Sequence, residues 1–344
     1  MKHELWGLFI YIFHLAVPGR GDRGLNGSGD RGFAFSRDHY FQDRLRMMLC
    51  NVTGDDTTSP EVRPLLLAPM ITRFLPRAKK KKHGWKNTYT FTKAMGEMLL
   101  NKERENIPVV IIRPSVIESA YKEPYPGWIE GNRMMDPVML FYGKGQLPGF
   151  LANPKAVIDI VPVDMVVNTI LVAMAKHGRE AKPELNVYHA ASSVSNSILL
   201  YHFFKYCCDH FKSSPLIDRD GKKIMVTDMK FLSSLSEFSS YISSEIIERN
   251  GIMGRQAMPD EKVFQKIKTK CEKLEALLLN LAQLYEPYMF YTSWFDNGKV
   301  KALMKMMSAE EKKVFECDVG IIDWKEYISN IHIPGFRAYV LKGK

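Results

Sequence analysis

A helix-length stretch running directly into a β-branched run restricts the fold of this 344-residue chain more than any other feature. Asn106-Ile-Pro-Val-Val-Ile-Ile-Arg-Pro114 is short, apolar and bounded by prolines, the pattern of a buried parallel strand. Before it, Asn87–Leu100 reads as a helix with Phe91, Met95, Met98 and Leu99 at helical spacing, a stripe that would face a core. The link between them is short, as in an α/β unit. Tyr89, Lys93 and Gly96 cluster on nearly the opposite side of that helix, together with Leu100. The Y-x-x-x-K spacing sets Tyr89 and Lys93 one turn apart. A free phenol titrates near pH ~10, and a neighbouring cation favours the phenolate, so such a pair can give and take a proton at a carbonyl. Taken alone, the motif fits an ordinary amphipathic helix with a surface Tyr and Lys better than a site.

The residues after the strand change that balance. Arg113-Pro-Ser-Val-Ile117 leads into a loop, Glu123-Pro-Tyr-Pro-Gly-Trp-Ile-Glu-Gly131. In open α/β sheets, ligands bind beyond the carboxyl ends of strands, where this loop would sit. The Tyr/Lys helix, the strand and the R-P-S turn together resemble the extended short-chain dehydrogenase/reductase family. Further motifs come in order: His83-Gly-Trp, Tyr142-Gly-Lys-Gly, Asp159-Ile-Val-Pro-Val-Asp-Met-Val-Val-Asn168 and Val187-Tyr-His-Ala-Ala-Ser-Ser193. They continue with Tyr285-x-Pro-Tyr, Trp294-Phe-Asp-Asn297, Phe315 with Asp318, Ile322-Asp-Trp-x-x-Tyr327 and His332-Ile-Pro-Gly-Phe-Arg-x-Tyr339. The set, over about residues 83–344, resembles the plant-type fatty acyl-CoA reductases, which include the male-sterility proteins.

The resemblance implies an α/β fold. A partial Rossmann-like parallel sheet over 83–250 would be followed by a mostly helical, sterile-like domain over 251–344. It implies reduction of a long-chain fatty acyl-CoA to a primary alcohol through an aldehyde, with NADPH as cofactor. Tyr89 would be the proton donor. Lys93 would lower the Tyr89 pKa and hydrogen-bond the nicotinamide ribose. Pro114, Ser115 and Val116 match the stretch that lines the nicotinamide. Trp128 either shapes an acyl site or anchors its loop, while Asp323 and Trp324 read as structural. No metal is expected.

Residues 1–82 depart from the family and read as an atypical, partly disordered segment. Gly19-Arg-Gly-Asp-Arg-Gly24 is formally G-x-G-x-x-G, but a dinucleotide loop needs a helix directly after it, and Leu25-Asn-Gly-Ser-Gly-Asp-Arg-Gly32 will not form one. The Ser/Thr that the family places before its Tyr has no match, since Ser36 and Thr72 lack the context. The N-terminal nucleotide-binding half is therefore expected to be largely missing. A catalytically inactive paralogue acting as a binding partner is the alternative reading.

The net charge of +10 invites the phosphates of CoA and a dinucleotide, an anionic membrane or nucleic acid, against a plain solvated basic surface. The densest basic run, Arg77-Ala-Lys-Lys-Lys-Lys82, reads as a solvated linker, and nucleic-acid binding is not expected, because no aromatic-interleaved motif accompanies it. A sugar-nucleotide epimerase would share Y-x-x-x-K and R-P-S but not the later motifs. The five cysteines lack metal-ligand spacing and read as reduced, mostly core-filling thiols of a cytosolic protein, with a plastid as the alternative location for the family it resembles. Leu5–Val17 is apolar but too short to span a bilayer; with Lys2 and His3 before it, it faintly resembles a secretory signal, and a buried segment or a peripheral membrane tether, as on the endoplasmic reticulum, fits equally.

Overall fold

The computed structural model describes residues 11–14, 88–180, 183–218, 220–249 and 261–341. The Gly19–Gly24 run, Ser36, Cys50, Thr72, the Arg77–Lys82 run and His83-Gly-Trp lie outside the described residues, as does Leu5–Val17 apart from the backbone of a short strand, β1 (Tyr11–His14). Two compact units divide the chain. One comprises Val110–Glu180 and Asn186–Lys344 with the N-terminal end, and the other His14–Val109 and Ala181–Leu185.

In the second unit the expected helix spans Thr88–Glu103. The Arg104 N–H closes it on the Leu100 carbonyl at 2.9 Å, and the Arg104 guanidinium donates to the Pro183 carbonyl at 2.7 Å. Its buried positions are Thr90 and Ala94, while Met98 is 71% exposed. The expected stripe of Phe91, Met95, Met98 and Leu99 is thus corrected. The tightest face is the one whose small side chains, one turn apart, permit close approach, and the bulkier residues flank it partly buried.

In the first unit the proline-bounded run forms β2 (Val109–Pro114), which opens at the unit boundary and buries every residue but Arg113. β2 lies between β1 and β7 (Leu185–Ala190). The Val109 N–H donates to the Glu184 carbonyl and the Ser115 N–H to the Ala190 carbonyl, a constant offset that makes β2 and β7 parallel. Three shorter pairs accompany this sheet. β3 (Val116–Glu118) is parallel to β6 (Ile160–Pro162). β4 (Gly149–Leu151) is parallel to β9 (Lys230–Leu232). β5 (Val157–Ile158) is antiparallel to β8 (Ile198–Leu199). Ala156–Val161 reads in the sequence as one strand but is two, parted at Asp159, whose carboxylate accepts the Ser192 N–H at 2.7 Å, the Ser192 hydroxyl at 3.0 Å and the Ser193 N–H at 3.0 Å.

Helices cover these strands. Val163–Glu180 follows β6 without a loop and buries Met165, Val166, Thr169, Ile170, Ala173 and His177 at helical spacing. Residues 196–255 read as partly linker-like, but two helices occupy much of them. Leu200–Ser213 buries Phe203, Phe204, Cys207, Cys208 and Phe211, and Leu235–Arg249 buries Phe238, Ile242 and Ile246. The serines that resemble a linker start the second helix, where Ser234 Oγ accepts the Glu237 N–H and the Glu237 carboxylate accepts the Ser233 N–H. The sequence reads Glu261–Tyr285 as a helix with Val263, Ile267, Cys271, Leu274, Leu278 and Leu281 on one stripe, and the helix runs over Glu261–Met289. Its buried row is narrower than the sequence stripe: Cys271, Leu278, Ala282 and Met289 are buried, whereas Val263 is 47% exposed. The described cysteines are buried free thiols, and burial pushes Cys317 up to about 12.

The chain closes with a helical segment over 324–340, whose turns widen to π-type at Tyr327–His332 and Phe336–Val340. Two glycines let it seat on the loop after β3. Gly127 takes φ +79°, and a Cβ there would stand 2.5 Å from the Ile331 carbonyl oxygen and 2.9 Å from Gly335 Cα. A Cβ on Gly335 would overlap the Gly127 carbonyl. Backbone meets backbone, so neither side can yield by turning a rotamer. Gly335→Ala should therefore destabilise the fold by about 2–4 kcal/mol, near the upper end for overpacking. Chemical denaturation of the variant beside Gly298→Ala, whose added Cβ meets only the Asp296 side chain, checks this.

Candidate active site

The Y-x-x-x-K motif lies on the Thr88–Glu103 helix, whose register sets Tyr89 one turn before Lys93. Lys93 is partly buried, and desolvation draws its ammonium below the ordinary lysine range.

Pro114, Ser115 and Val116 belong to the first unit, at the carboxyl end of β2 and the start of β3. The Ser115 N–H is held by the Ala190 carbonyl and the Val116 N–H by the Asp159 carbonyl, each at 3.0 Å. Ser115 is 5% exposed, yet its Oγ makes no hydrogen bond. A buried hydroxyl without a partner costs about 1–3 kcal/mol. An orphaned donor at the carboxyl end of a central parallel strand fits a polar group delivered by a ligand, and a nicotinamide carries such a group.

The loop beyond is built, not loose. The Gly127 N–H donates to the Ala120 carbonyl at 2.8 Å and the Ala120 N–H to the Trp128 carbonyl at 3.0 Å, closing residues 120–128 into a ring. In the sequence Asp164 reads as the cap of a helix over Met165–Lys176, but its carboxylate instead reaches across to this loop. Its carboxylate accepts the N–H groups of Tyr121 and Lys122 at 2.8 Å and of Glu123 at 3.1 Å. Because the helix starts directly on β6, Asp164 falls in its first turn and faces the loop. Asp164→Ala should leave three N–H groups unpaired, speed amide exchange at residues 121–123 at least tenfold and lower the melting temperature. Hydrogen-exchange mass spectrometry reads the effect, and protection unchanged across that loop would contradict the role.

The C-terminal motifs fasten onto the same region. The Tyr327 hydroxyl donates to the Ser119 carbonyl at 2.7 Å, and the Trp324 indole N–H to the Asn196 carbonyl at 2.9 Å. Asp323 Oδ1 accepts the Lys325 and Glu326 N–H groups and so caps the segment. Asn297 accepts from the Ser195 hydroxyl and donates to the Ala191 carbonyl, which ties W-F-D-N to A-A-S-S.

One cluster escaped the sequence reading, which expected no metal. Glu118, Asp136 and His332 are buried together, with one ligand-type atom from each inside a 4.8 Å span. Burial, and next the Asp136 charge, push the Glu118 carboxyl well above its usual range. The three lie far apart in sequence and follow no metal-ligand spacing, so only chain folding brings them together.

Parallel strand pairs covered by helices describe an α/β protein. Comparison with known proteins agrees. The NAD-binding part of the male sterility protein family matches residues 56–170, and its Sterile part matches residues 262–343. The chain belongs to the male-sterility protein family, whose plant relatives here are fatty acyl-CoA reductases. It is 51% identical over 267 residues to "Fatty acyl-CoA reductase 2, chloroplastic" of Arabidopsis thaliana, covering 77% of this chain and 43% of that protein. It is 36% identical to "Alcohol-forming fatty acyl-CoA reductase" of Simmondsia chinensis, covering 75% and 53%. The value for "Fatty acyl-CoA reductase 2" of Homo sapiens is 31%, covering 75% and 48%. The chain thus spans about half the length of the curated relatives it matches. The family match begins at residue 56, inside the segment that the motifs set apart.

Proposed function

We propose that this protein acts in the NADPH-dependent reduction of long-chain fatty acyl-CoA to a primary alcohol. The observation that carries the reading is Lys93, desolvated and one helical turn after Tyr89, inside the stretch that matches the family's NAD-binding part. The orphaned Ser115 hydroxyl supports it.

Bound NADPH supplies hydride to the carbonyl carbon, twice per alcohol formed. In the first reduction the thioester C–S bond breaks, and CoA leaves beside an aldehyde as a thiolate that takes a proton from solvent. In the second, Tyr89 gives its phenolic proton to the carbonyl oxygen as that oxygen becomes an alkoxide. Lys93 keeps the Tyr89 pKa low enough for this transfer near neutrality and orients the nicotinamide ribose. Pro114 and Val116 form the wall beside the nicotinamide, and Ser115 Oγ bonds its carboxamide. Residues 83–250 are read as the reductase part and 251–344 as the sterile-like part, which shapes the acyl end. A plastid location is favoured by the 51% identical relative, which is named chloroplastic. Among the described residues no helix is long and apolar enough to cross a membrane.

Tyr89→Phe should lower acyl-CoA-dependent NADPH oxidation by about 10²–10⁴-fold, the usual worth of a positioned acid. Nucleotide affinity should be kept. Lys93→Ala should weaken NADPH binding and move the alkaline limb of kcat/KM to higher pH, because Tyr89 loses the cation that favours its ionised form. Turnover unchanged in Tyr89→Phe removes the proton-donor role. If the wild-type chain does not bind NADPH in a fluorescence titration, the binding-partner reading replaces this one.

A further inference from the structure

The buried trio in the first unit has an unusual pattern of satisfied and unsatisfied atoms. Glu118, Asp136 and His332 are 4%, 0% and 1% exposed. Each is anchored through one atom. Glu118 Oε1 accepts the Met135 N–H at 3.1 Å, Asp136 Oδ2 accepts the Arg133 N–H at 3.0 Å, and His332 Nδ1 sits 2.9 Å from Ser119 Oγ. The other atom of each, Glu118 Oε2, Asp136 Oδ1 and His332 Nε2, makes no hydrogen bond. Nε2 lies 3.1 Å from Asp136 Oδ1 and 3.8 Å from Glu118 Oε2. Among the described residues, no Lys or Arg forms an ion pair with either carboxylate.

A single imidazole N–H can serve only one of the two carboxylate oxygens well, and even the nearer contact lacks hydrogen-bond geometry. Three orphaned atoms in a dry interior are costly, each by about 1–3 kcal/mol or more for a charged group. One divalent cation would satisfy all three and offset both carboxylate charges. The spacing suits it. With metal–donor bonds of about 2.0–2.2 Å, tetrahedral donors stand about 3.4 Å apart, and the two observed separations bracket that value. The outer contacts suit it as well. With Nδ1–H donating to Ser119 Oγ, the Nε2 lone pair is free for a metal, and backbone N–H groups orient both carboxylates. Stacking on the Tyr327 ring at 5.9 Å, with 23° between planes, holds the imidazole in place.

We propose that Glu118, Asp136 and His332 bind one divalent cation of the zinc or manganese class. The donor set of one imidazole and two carboxylates suits these ions and is too oxygen-poor for calcium. The ion links the end of β3, the start of the Asp136–Gly143 helix and the C-terminal segment across 214 residues of sequence. This site is separate from the reductase reading, and its test needs no turnover.

The test uses the full chain, stripped with a chelator and then titrated with Zn²⁺ and with Mn²⁺ by calorimetry. Bound metal is counted by mass spectrometry. One ion per chain is expected for at least one of the two metals, together with a rise in melting temperature that grows with free metal. Glu118→Gln and His332→Gln should each weaken binding at least a hundredfold. Ser119→Ala keeps all three donors and should weaken it about 10–100-fold, as loss of an outer partner does; it serves if the donor variants fail to fold. Cobalt(II) bound to the stripped wild-type chain should give visible d–d bands. No stoichiometric binding of either ion and an unmoved melting temperature would overturn the proposal, leaving a ring held between two carboxyl groups. Binding that persists unchanged in folded Glu118→Gln and His332→Gln would also overturn it.

Discussion

The seating of residues 327–336 on residues 118–128 is the constraint on which the larger unit depends. There the backbones approach so closely at Gly127 and Gly335 that no side chain fits on either. The same contact buries the Tyr327 hydroxyl on the Ser119 carbonyl and the His332 ring between Ser119, Glu118 and Asp136. A polar, nearly dry junction of this kind is stable only when its groups are paired, because each orphan there costs as much as a good contact gains. The last helical segment is thus part of the core of the sheet region. Residues 110–180 and 186–344 accordingly form one compact unit, which holds the Sterile match and residues 110–170 of the NAD-binding match.

This arrangement accounts for motifs that lie far apart in the chain. The glycine of P-G-W-I-E needs the glycine of H-I-P-G-F, since each occupies space that a Cβ on the other would take. The tyrosine of I-D-W-x-x-Y needs the loop after β3 as its acceptor. The asparagine of W-F-D-N needs the A-A-S-S turn. The second aspartate of D-I-V-P-V-D gathers the N–H groups that open the P-G-W-I-E loop, and the first gathers those of Ser192 and Ser193. The motifs are docking partners of one another around the carboxyl ends of β2 and β3. That gives a structural reason for their joint presence whatever chemistry the family performs.

The Tyr/Lys pair and the R-P-S turn fall in different compact units, each with its own local support. The helix carries Lys93 into a partly desolvated setting. The strand end carries a serine hydroxyl without a protein partner. The buried serine hydroxyl is a local cost of the kind that folds tolerate at functional positions.

Local patterning was legible in the sequence. The Thr88–Glu103 helix, β2, the Val163–Glu180 helix, β7 and the long Glu261–Met289 helix follow from periodicity and from proline boundaries, because each rests on contacts set within a few residues. The order of short motifs marked the family for the same reason. Three things were decided only by the tertiary structure. The buried side of the Tyr/Lys helix passes through Thr90 and Ala94, since close approach favours small residues over the apolar stripe. Asp164 serves a loop and not its own helix, because β6 leads into that helix without a turn. Glu118, Asp136 and His332 meet because a chain reversal buries them at one point. No spacing rule along a sequence records such a reversal, since it is the global packing of apolar surface that fixes which distant polar groups share a dry interior.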